Sequence, residues 1–428
     1  MKIWRSEELP PDWFKRKQNE ANKTELEKTV KTIIEDVKRR GNQALIEYTE
    51  KFDKTRLNYQ TLAVTTNEIA EAYNSVREEQ INALKIIKQR VEMLERQTSK
   101  DQHKKTTIID GIAVQTVSQP LESVGCYVPG GRAIYPSTLV MTATPAKVAG
   151  VSRIVACSPP SDNGSINPLI LVASDICGVN EIYKVGGVQA IAALAYGTET
   201  IKPVTKIVGP GSQYVTAAKI MVSQDVAIDM PAGPSEILVL ADETADPNLI
   251  AADMISQAEH GEDSVAVLVT TSESVARKVL KRLQQIIENV ERKEIVENAL
   301  TQRGFIITCS DIDEAVELAN IFSPEHLEIM IKNAKEIAKE FTSAGLILVG
   351  PFSPVALSDY GSGTNHVLPT GGFGRSCSGL STSDFTRKVR IVESTKEGLS
   401  KVEKTIKVLT ETEKLPNHYK AVELRFKE

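Results

Sequence analysis

The chain has 428 residues, 41% of them hydrophobic and 25% charged, a balance that excludes a disordered or fibrous protein and allows a sizeable core. That length exceeds one ordinary core, so two or three domains are expected. A formal net charge of −5 offers no basic face for nucleic acid, and no apolar run approaches the roughly 20 residues of a membrane span.

Met1 to Trp13, MKIWRSEELPPDW, lacks the apolar segment of a secretory signal, so a cytoplasmic protein is expected. Residues 24 to 100 read as helices, because runs such as TELEKTVKTIIEDVKRRGNQALIEYTEKF place apolar residues three or four apart. The basic cluster around His103, Lys104 and Lys105 is short and reads as a solvated loop. Beyond it the pattern changes. Short Val- and Ile-rich runs (SRIVACSPP, NPLILVASDICG, KIVGPG, EILVLAD, SVAVLVT, GFIITCS, EHLEIMI, GLILVG) alternate with amphipathic stretches, the mark of an α/β protein with largely parallel sheets.

Two Gly/Pro-rich joints, YVPGGRAIYPS and DMPAGPSE, bracket the first strand-helix series. Residues 126–235 are therefore expected to form an α/β domain inserted into a second one, made of 1–125 and 236–380 with a helical N-terminal region. Residues 381–428 are expected to form a C-terminal tail whose polar helix, SKVEKTIKVLTETEKL, is broken by Pro416. Cys126, Cys157, Cys177, Cys309 and Cys377 are scattered without a Cys-x-x-Cys pair, which disfavours disulfides and a thiolate zinc site.

Only five histidines are present, and their settings matter. His260 lies in DPNLIAADMISQAEHGED, where Asp246 can cap a helix, Pro247 suits its first turn and Gly261 can end it. Gln257 then stands three residues before His260 on the final turn, where unpaired carbonyls favour a cation; a plain capping histidine fits the same place. In FSPEHLEIM, Glu325 adjoins His326, either as chemistry or as the polar opening of a strand. His366 lies in the Gly- and Ser-rich SDYGSGTNHVLPTGGFGRS with Asp359 upstream, and long irregular loops in compact domains are often functional. His418 follows Pro416 and Glu413 near the chain end. A His/His/Asp/Gln set without thiolate suits a catalytic divalent ion such as zinc, although spacing alone does not establish one.

A dinucleotide fingerprint is absent: KIVGPGSQYVTAAK has Gly209 and Gly211 but Tyr214 at the third position. A glycine turn opening a helix can still receive a phosphate.

Taken together, VGCYVPGGRAIYPSTLVMTATPAKVAG, VGGVQAIAALAYGT, DMPAGPSEILVLAD, SQAEHGEDS, SPEHLEI, SDYGSGTNHVLPTGG and EKLPNHYKAV resemble the histidinol dehydrogenase family, in that family's order, from about residue 25 to 425. The resemblance implies two Rossmann-like domains and a four-electron oxidation of L-histidinol through L-histidinal to L-histidine, the last step of histidine biosynthesis. It implies two NAD+ used in succession and one zinc ion per site. By motif, the zinc ligands would be Gln257, His260, Asp359 and His418. His326 would be the base that takes the alcohol proton, and Glu325 the base that activates water to hydrate the aldehyde. Substrate contacts would come from Ser235, His366 and Glu413 beside His326 and the four ligands. Tyr127, Gln189 and Ser212 would touch NAD+. The family's terminal histidine reaches a neighbouring subunit's zinc, which implies a homodimer with shared sites.

Two positions depart from the family pattern: Ser212 stands where Asn is usual, and LPNH replaces small residues before the terminal histidine. Three other readings carry distinct expectations. An aldehyde-dehydrogenase-like enzyme would use a thiolate, from Cys126 or Cys377. A zinc hydrolase would turn over without NAD+. A catalytically inactive NAD- or metal-binding regulator would not need the Glu325-His326 pair and all four ligand positions.

Overall fold

A computed structural model describes all residues except 11–12, 15–19, 100–104, 131–133, 232 and 428, and the side chains of 20–22 and 105 are also left undescribed. His103 and Lys104 of the basic cluster, and parts of both Gly/Pro-rich joints, lie outside the described residues.

The chain opens with strand β1 (Ile3–Arg5) and four helices, α1 (Glu20–Arg40), α2 (Asn42–Asp53), α3 (Thr66–Ser75) and α4 (Glu78–Ser99). Helix α3 starts at a capping box in which Thr65 and Glu68 satisfy each other's backbone N–H groups. A hairpin of β2 (Lys105–Ile109) and β3 (Ile112–Pro120) follows.

The first α/β unit comprises β4 (Ser123–Tyr127), α5 (Pro136–Ala149), β5 (Arg153–Cys157), α6 (Pro168–Cys177), β6 (Glu181–Tyr183), α7 (Gly187–Tyr196), β7 (Lys206–Val208), α8 (Gln213–Val222) and β8 (Ala227–Ile228). Its five strands are parallel in the order β6-β5-β4-β7-β8. Succession runs outward from β4 on one side, then restarts at β7 on the other. The reversal between β4 and β7 opens the kind of crevice in which such sheets bind ligands.

The second unit comprises β9 (Glu236–Ala241), α9 (Pro247–Ala258), β10 (Val265–Thr270), α10 (Glu273–Ile287), α11 (Lys293–Arg303), β11 (Gly304–Thr308), α12 (Ile312–Phe322), β12 (His326–Met330), α13 (Ala334–Ile337), β13 (Leu346–Val349) and α14 (Val355–Tyr360). Its parallel sheet has the order β1-β11-β10-β9-β12-β13. Every residue of β9, β10 and β12 is buried, as expected for parallel strands covered by helices on both faces. The two α/β units repeat one winding pattern.

The expected domain edges differ from this arrangement in three ways. Strand β4 starts at Ser123, so the first sheet begins before residue 126. Of residues 1–125, β1 joins the second sheet, whereas α1 and α2 pack on α7, and α3 and α4 on α6. Burial explains that preference: Val30, Ile33, Ile34 and Val37 meet Val188, Ile191 and Leu194 of α7 in one core, and a helix apolar on most sides must be covered on most sides. The tail begins not as helix but as β14 (Thr386–Ser394), which pairs antiparallel with β3 along its whole length. Then come α15 (Lys396–Thr412), capped by Thr395, and α16 (Pro416–Glu423). Among the described residues, no helix is long and apolar enough to cross a membrane.

Candidate active site

At the amino end of β12 the chain turns inward with Glu325 and His326, which are 6% and 4% exposed. Strand β9 lies alongside, pairing Ile237 with His326, and its first residue holds both side chains. The Glu236 N–H donates to Glu325 Oε2 at 2.8 Å, and the Glu236 carbonyl oxygen lies 3.2 Å from His326 Nδ1. A carbonyl only accepts, so Nδ1 carries the ring proton and Nε2 keeps its lone pair. Nε2 has no hydrogen-bond partner, and the nearest carboxylate oxygen to it is Asp359 Oδ1 at 4.0 Å.

These groups are tuned by burial. Loss of water lowers the His326 pKa to about 4, with His260 and His366 adding to the effect against the opposing Glu236 carbonyl. The ring is therefore neutral at physiological pH, with the Nε2 lone pair free to take a proton. Burial also raises Glu325 well above the ordinary carboxylate range; the Glu236 N–H opposes this, while the charges of Glu236 and Asp359 reinforce it.

Helix α9 runs back from the far edge of the second sheet, so its C-terminus reaches the same amino edge. Asp246 caps it by accepting the Asn248 N–H at 2.8 Å, and Pro247 fills the first position. It ends at Ala258, so His260 lies just past the helix rather than on its last turn, its N–H donating to the Gln257 carbonyl at 3.4 Å. Gln257 is 1% exposed and its Oε1 has no partner. Asp359, at the end of α14, likewise buries an unpartnered Oδ1, and burial raises its pKa to about 7.

His366 brings the first α/β unit into the site. Its Nε2 lies 3.4 Å from Thr138 Oγ1 in the first turn of α5, the helix that follows β4. Burial lowers the His366 pKa to about 4, with His260 adding to the shift and a backbone hydrogen bond at Asp359 opposing it. A cleft of about 340 Å³ opens here, lined by Tyr135, Pro136 and Ser137 on one side and Glu259, His260 and Tyr360 on the other. Ser235 immediately precedes Glu236, and its carbonyl accepts the Val265 N–H at 3.0 Å.

The structure thus gathers Glu325, His326 and Asp359, with His260 and His366 near enough to bias the His326 ring. It does not bring Glu413 or His418 to them. Both are exposed on the terminal arm, where α16 packs on α15 and Tyr419 donates to Glu403 at 3.1 Å. Among the described residues, no group of three or more His, Cys, Asp or Glu is placed to hold a metal.

The proposed dinucleotide residues lie elsewhere, around the reversal of the first sheet. The Tyr127 hydroxyl at the end of β4 accepts the Gly187 N–H at 3.0 Å. Gln189 is 1% exposed with neither amide atom partnered. Ser212 is exposed at the N-cap of α8, where its side chain makes no capping bond.

Sequence reasoning missed Glu236, whose backbone aligns both candidate bases and whose Oε1 accepts the Gly371 N–H at 3.1 Å. A lone acid heading the apolar run EILVLA was the available signal. It also missed Thr138, for which no local signal existed. The thiolate reading loses Cys126, which is fully buried with its thiol pushed up to about 12 by desolvation. Cys377 is half-buried against the core between α4, α5 and the first sheet.

A protein-family model described as histidinol dehydrogenase matches residues 15–426. The histidinol dehydrogenase of Methanocaldococcus jannaschii is 46% identical over 96% of this chain and 94% of its own length. That of Clostridium acetobutylicum is 46% identical over 97% and 95%. The crystal structure of histidinol dehydrogenase from Elizabethkingia anophelis superposes with a TM-score of 0.91 at 38% identity, covering 99% of this chain and 97% of that one. The chain belongs to the histidinol dehydrogenase family, NAD-dependent oxidoreductases that oxidise histidinol to histidine in the last step of histidine biosynthesis.

Proposed function

We propose that this chain oxidises L-histidinol to L-histidine in two successive steps at the amino end of β12, with His326 and Glu325 dividing the proton transfers. One observation carries the division: Glu236 holds both side chains through its own backbone, leaving His326 Nε2 bare beside Asp359.

In the first oxidation the substrate hydroxyl gives its proton to His326 Nε2 as the carbon loses hydride, leaving the aldehyde. A neutral imidazole within hydrogen-bond reach is the base such a step needs at physiological pH. In the second, Glu325 takes a proton from water as the water oxygen adds to the aldehyde carbon, and the proton held on His326 Nε2 passes to the carbonyl oxygen, which completes the gem-diol and returns His326 to its neutral form. His326 again accepts a hydroxyl proton as the diol carbon loses hydride, which leaves the carboxylic acid. Burial disfavours the charged form of Glu325, so the carboxylate is a stronger base than an exposed one whenever it is ionised. Tyr127, Gln189 and Ser212 would hold NAD+, which would supply the hydride acceptor for both oxidations.

Gln257, His260 and Asp359, with His418 of the partner subunit, would hold a zinc ion that orients the substrate's imidazole and amine. The donor set fits: Gln257 Oε1 and Asp359 Oδ1 are buried oxygens without partners, a costly state that a bound cation relieves, and nitrogen and oxygen ligands suit catalytic zinc. Ser235, His366 and the partner subunit's Glu413 would complete the substrate pocket. Sharing between two copies is supported by the arm, which is exposed at His418 and also bares Val408, Leu409, Leu415 and Leu424, apolar surface that a second copy would cover.

The test is NADH released from purified protein with limiting L-histidinol and excess NAD+, before and after chelation and zinc restoration. Two NADH per histidinol, lost with the chelator and regained with zinc, is the expected result. One NADH per histidinol, or turnover indifferent to chelation, would contradict the reading.

A further inference from the structure

At the reversal of the first sheet, Gly209 follows β7 and lies against the backbone of Tyr127 at the end of β4. Its φ is +117°, and a Cβ there would strike the Tyr127 carbonyl oxygen, so only glycine fits. One buried ion pair grips both sides of this residue. The Gly209 N–H donates to Asp229 Oδ2 at 2.8 Å, and the Gly209 carbonyl accepts from Lys219 Nζ at 2.9 Å. Lys219 Nζ also pairs with Asp229 Oδ1 and reaches the Met230 carbonyl at 3.5 Å. The two side chains are 2% and 0% exposed.

Stability does not explain such a pair. Withdrawing two charges from water costs several kcal/mol per ion, and apolar replacements of similar volume often serve as well or better. What the pair adds is a defined conformation: it fixes the orientation of a turn that glycine leaves free to vary. Through Met230 it also ties that turn to the joint leading to Ser235 and Glu236, where the catalytic strands begin.

We infer that Lys219 and Asp229 are positioning residues for the dinucleotide, holding the 209–211 turn in the shape that receives NAD+ and in register with the joint to the catalytic strands. This rests on the NAD+ site proposed around Tyr127, Gln189 and Ser212. Neither residue touches the reacting atoms. Their effect is on cofactor affinity.

The test is steady-state kinetics and NAD+ calorimetry on the zinc-loaded double variant Lys219→Met/Asp229→Leu, which removes both charges together and so avoids leaving one buried alone. Arg153→Met/Glu181→Leu is the control, because it deletes an ion pair at the opposite edge of the same sheet, with Arg153 Nε and Glu181 Oε1 2.6 Å apart. We expect the first variant to melt cooperatively, to raise KM and Kd for NAD+ about tenfold or more, and to leave KM for histidinol and bound zinc unchanged. The control should keep its NAD+ affinity. Wild-type KM for NAD+ in a folded Lys219→Met/Asp229→Leu protein, or an equal loss in the control, would overturn the inference. If the first variant does not fold, Lys219→Met/Asp229→Asn, which keeps an acceptor for the Gly209 N–H and leaves no charge buried alone, takes its place: weakened NAD+ binding supports the inference and wild-type binding overturns it. Should the wild-type protein itself fail to bind NAD+ near Tyr127, the underlying site assignment fails instead, which a Tyr127→Phe variant reports separately.

Discussion

His326 Nδ1 lies 3.2 Å from the carbonyl oxygen of Glu236, and this contact decides which ring nitrogen can act as a base. Replacing His326 with Gln keeps a polar group of similar reach but removes the basic nitrogen. We expect kcat to fall by about 10²–10⁴, the usual contribution of a positioned base, in both half-reactions and with zinc retained. The measurement is NADH release from histidinol and from histidinal separately; full activity on either substrate would remove His326 from that step.

The exposed arm predicts complementation between subunits. His326→Gln and His418→Ala should each be nearly inactive alone, yet with sites shared as proposed a mixed dimer would hold one that draws His326 from one copy and His418 from the other. Random mixing after unfolding and refolding should restore about a quarter of wild-type activity, as half the dimers are mixed and each has one intact site. Activity that stays at the level of the separate variants would show that the sites are not shared.

Glu328 shares a face of β12 with His326, two residues on, and is fully buried with neither oxygen partnered by a donor. Asp253 of α9, one turn before Gln257, faces it. Two ionised carboxylates have no proton to share, so their contact becomes a hydrogen bond only when one is protonated; burial pushes both pKa values up, Asp253 pushes Glu328 further, and the hydrogen bond with Glu328 partly opposes the rise at Asp253. The sign follows. A carboxyl whose folded pKa is raised costs no stability in acid, below the ordinary carboxylate range, and lowers stability as pH rises from there toward the folded value. Glu328→Gln should therefore melt near the wild type in acid and be more stable by about 1–3 kcal/mol in mild alkali. Melting curves across pH test this, and parallel profiles for the two proteins would contradict it.

How much of this was legible before folding depends on the kind of signal. Most strands of both sheets stood out as Val- and Ile-rich runs because parallel strands are buried on both faces, but the equally apolar NPLILVASDICG folds as helix α6, and β4 and β8 were not among the runs. The ligand and base positions came from motif resemblance, since Gln257, His260, Asp359 and His366 sit at helix ends and in loops where periodicity is silent. Strand β14, TRKVRIVES, was hidden because nearly all its residues are exposed, so it has no apolar face to alternate. The three-residue β1 is too short to carry a pattern. Nothing local in α5 announces that Thr138 will meet His366, a contact across 228 positions that only the packing of the two α/β units creates. The preference of α1 to α4 for the first unit is likewise a matter of which apolar surfaces match.

The division of labour between two adjacent side chains is most directly tested with Glu325→Gln, whose amide oxygen can still accept the Glu236 N–H and so spares the local geometry. Single-turnover rates are measured for histidinol to histidinal and, separately, for histidinal to histidine, with zinc bound and NAD+ saturating. The account predicts a first oxidation within a few-fold of wild type and a second slowed by about 10²–10⁴. Equal slowing of both steps, or an unchanged second step, would contradict it.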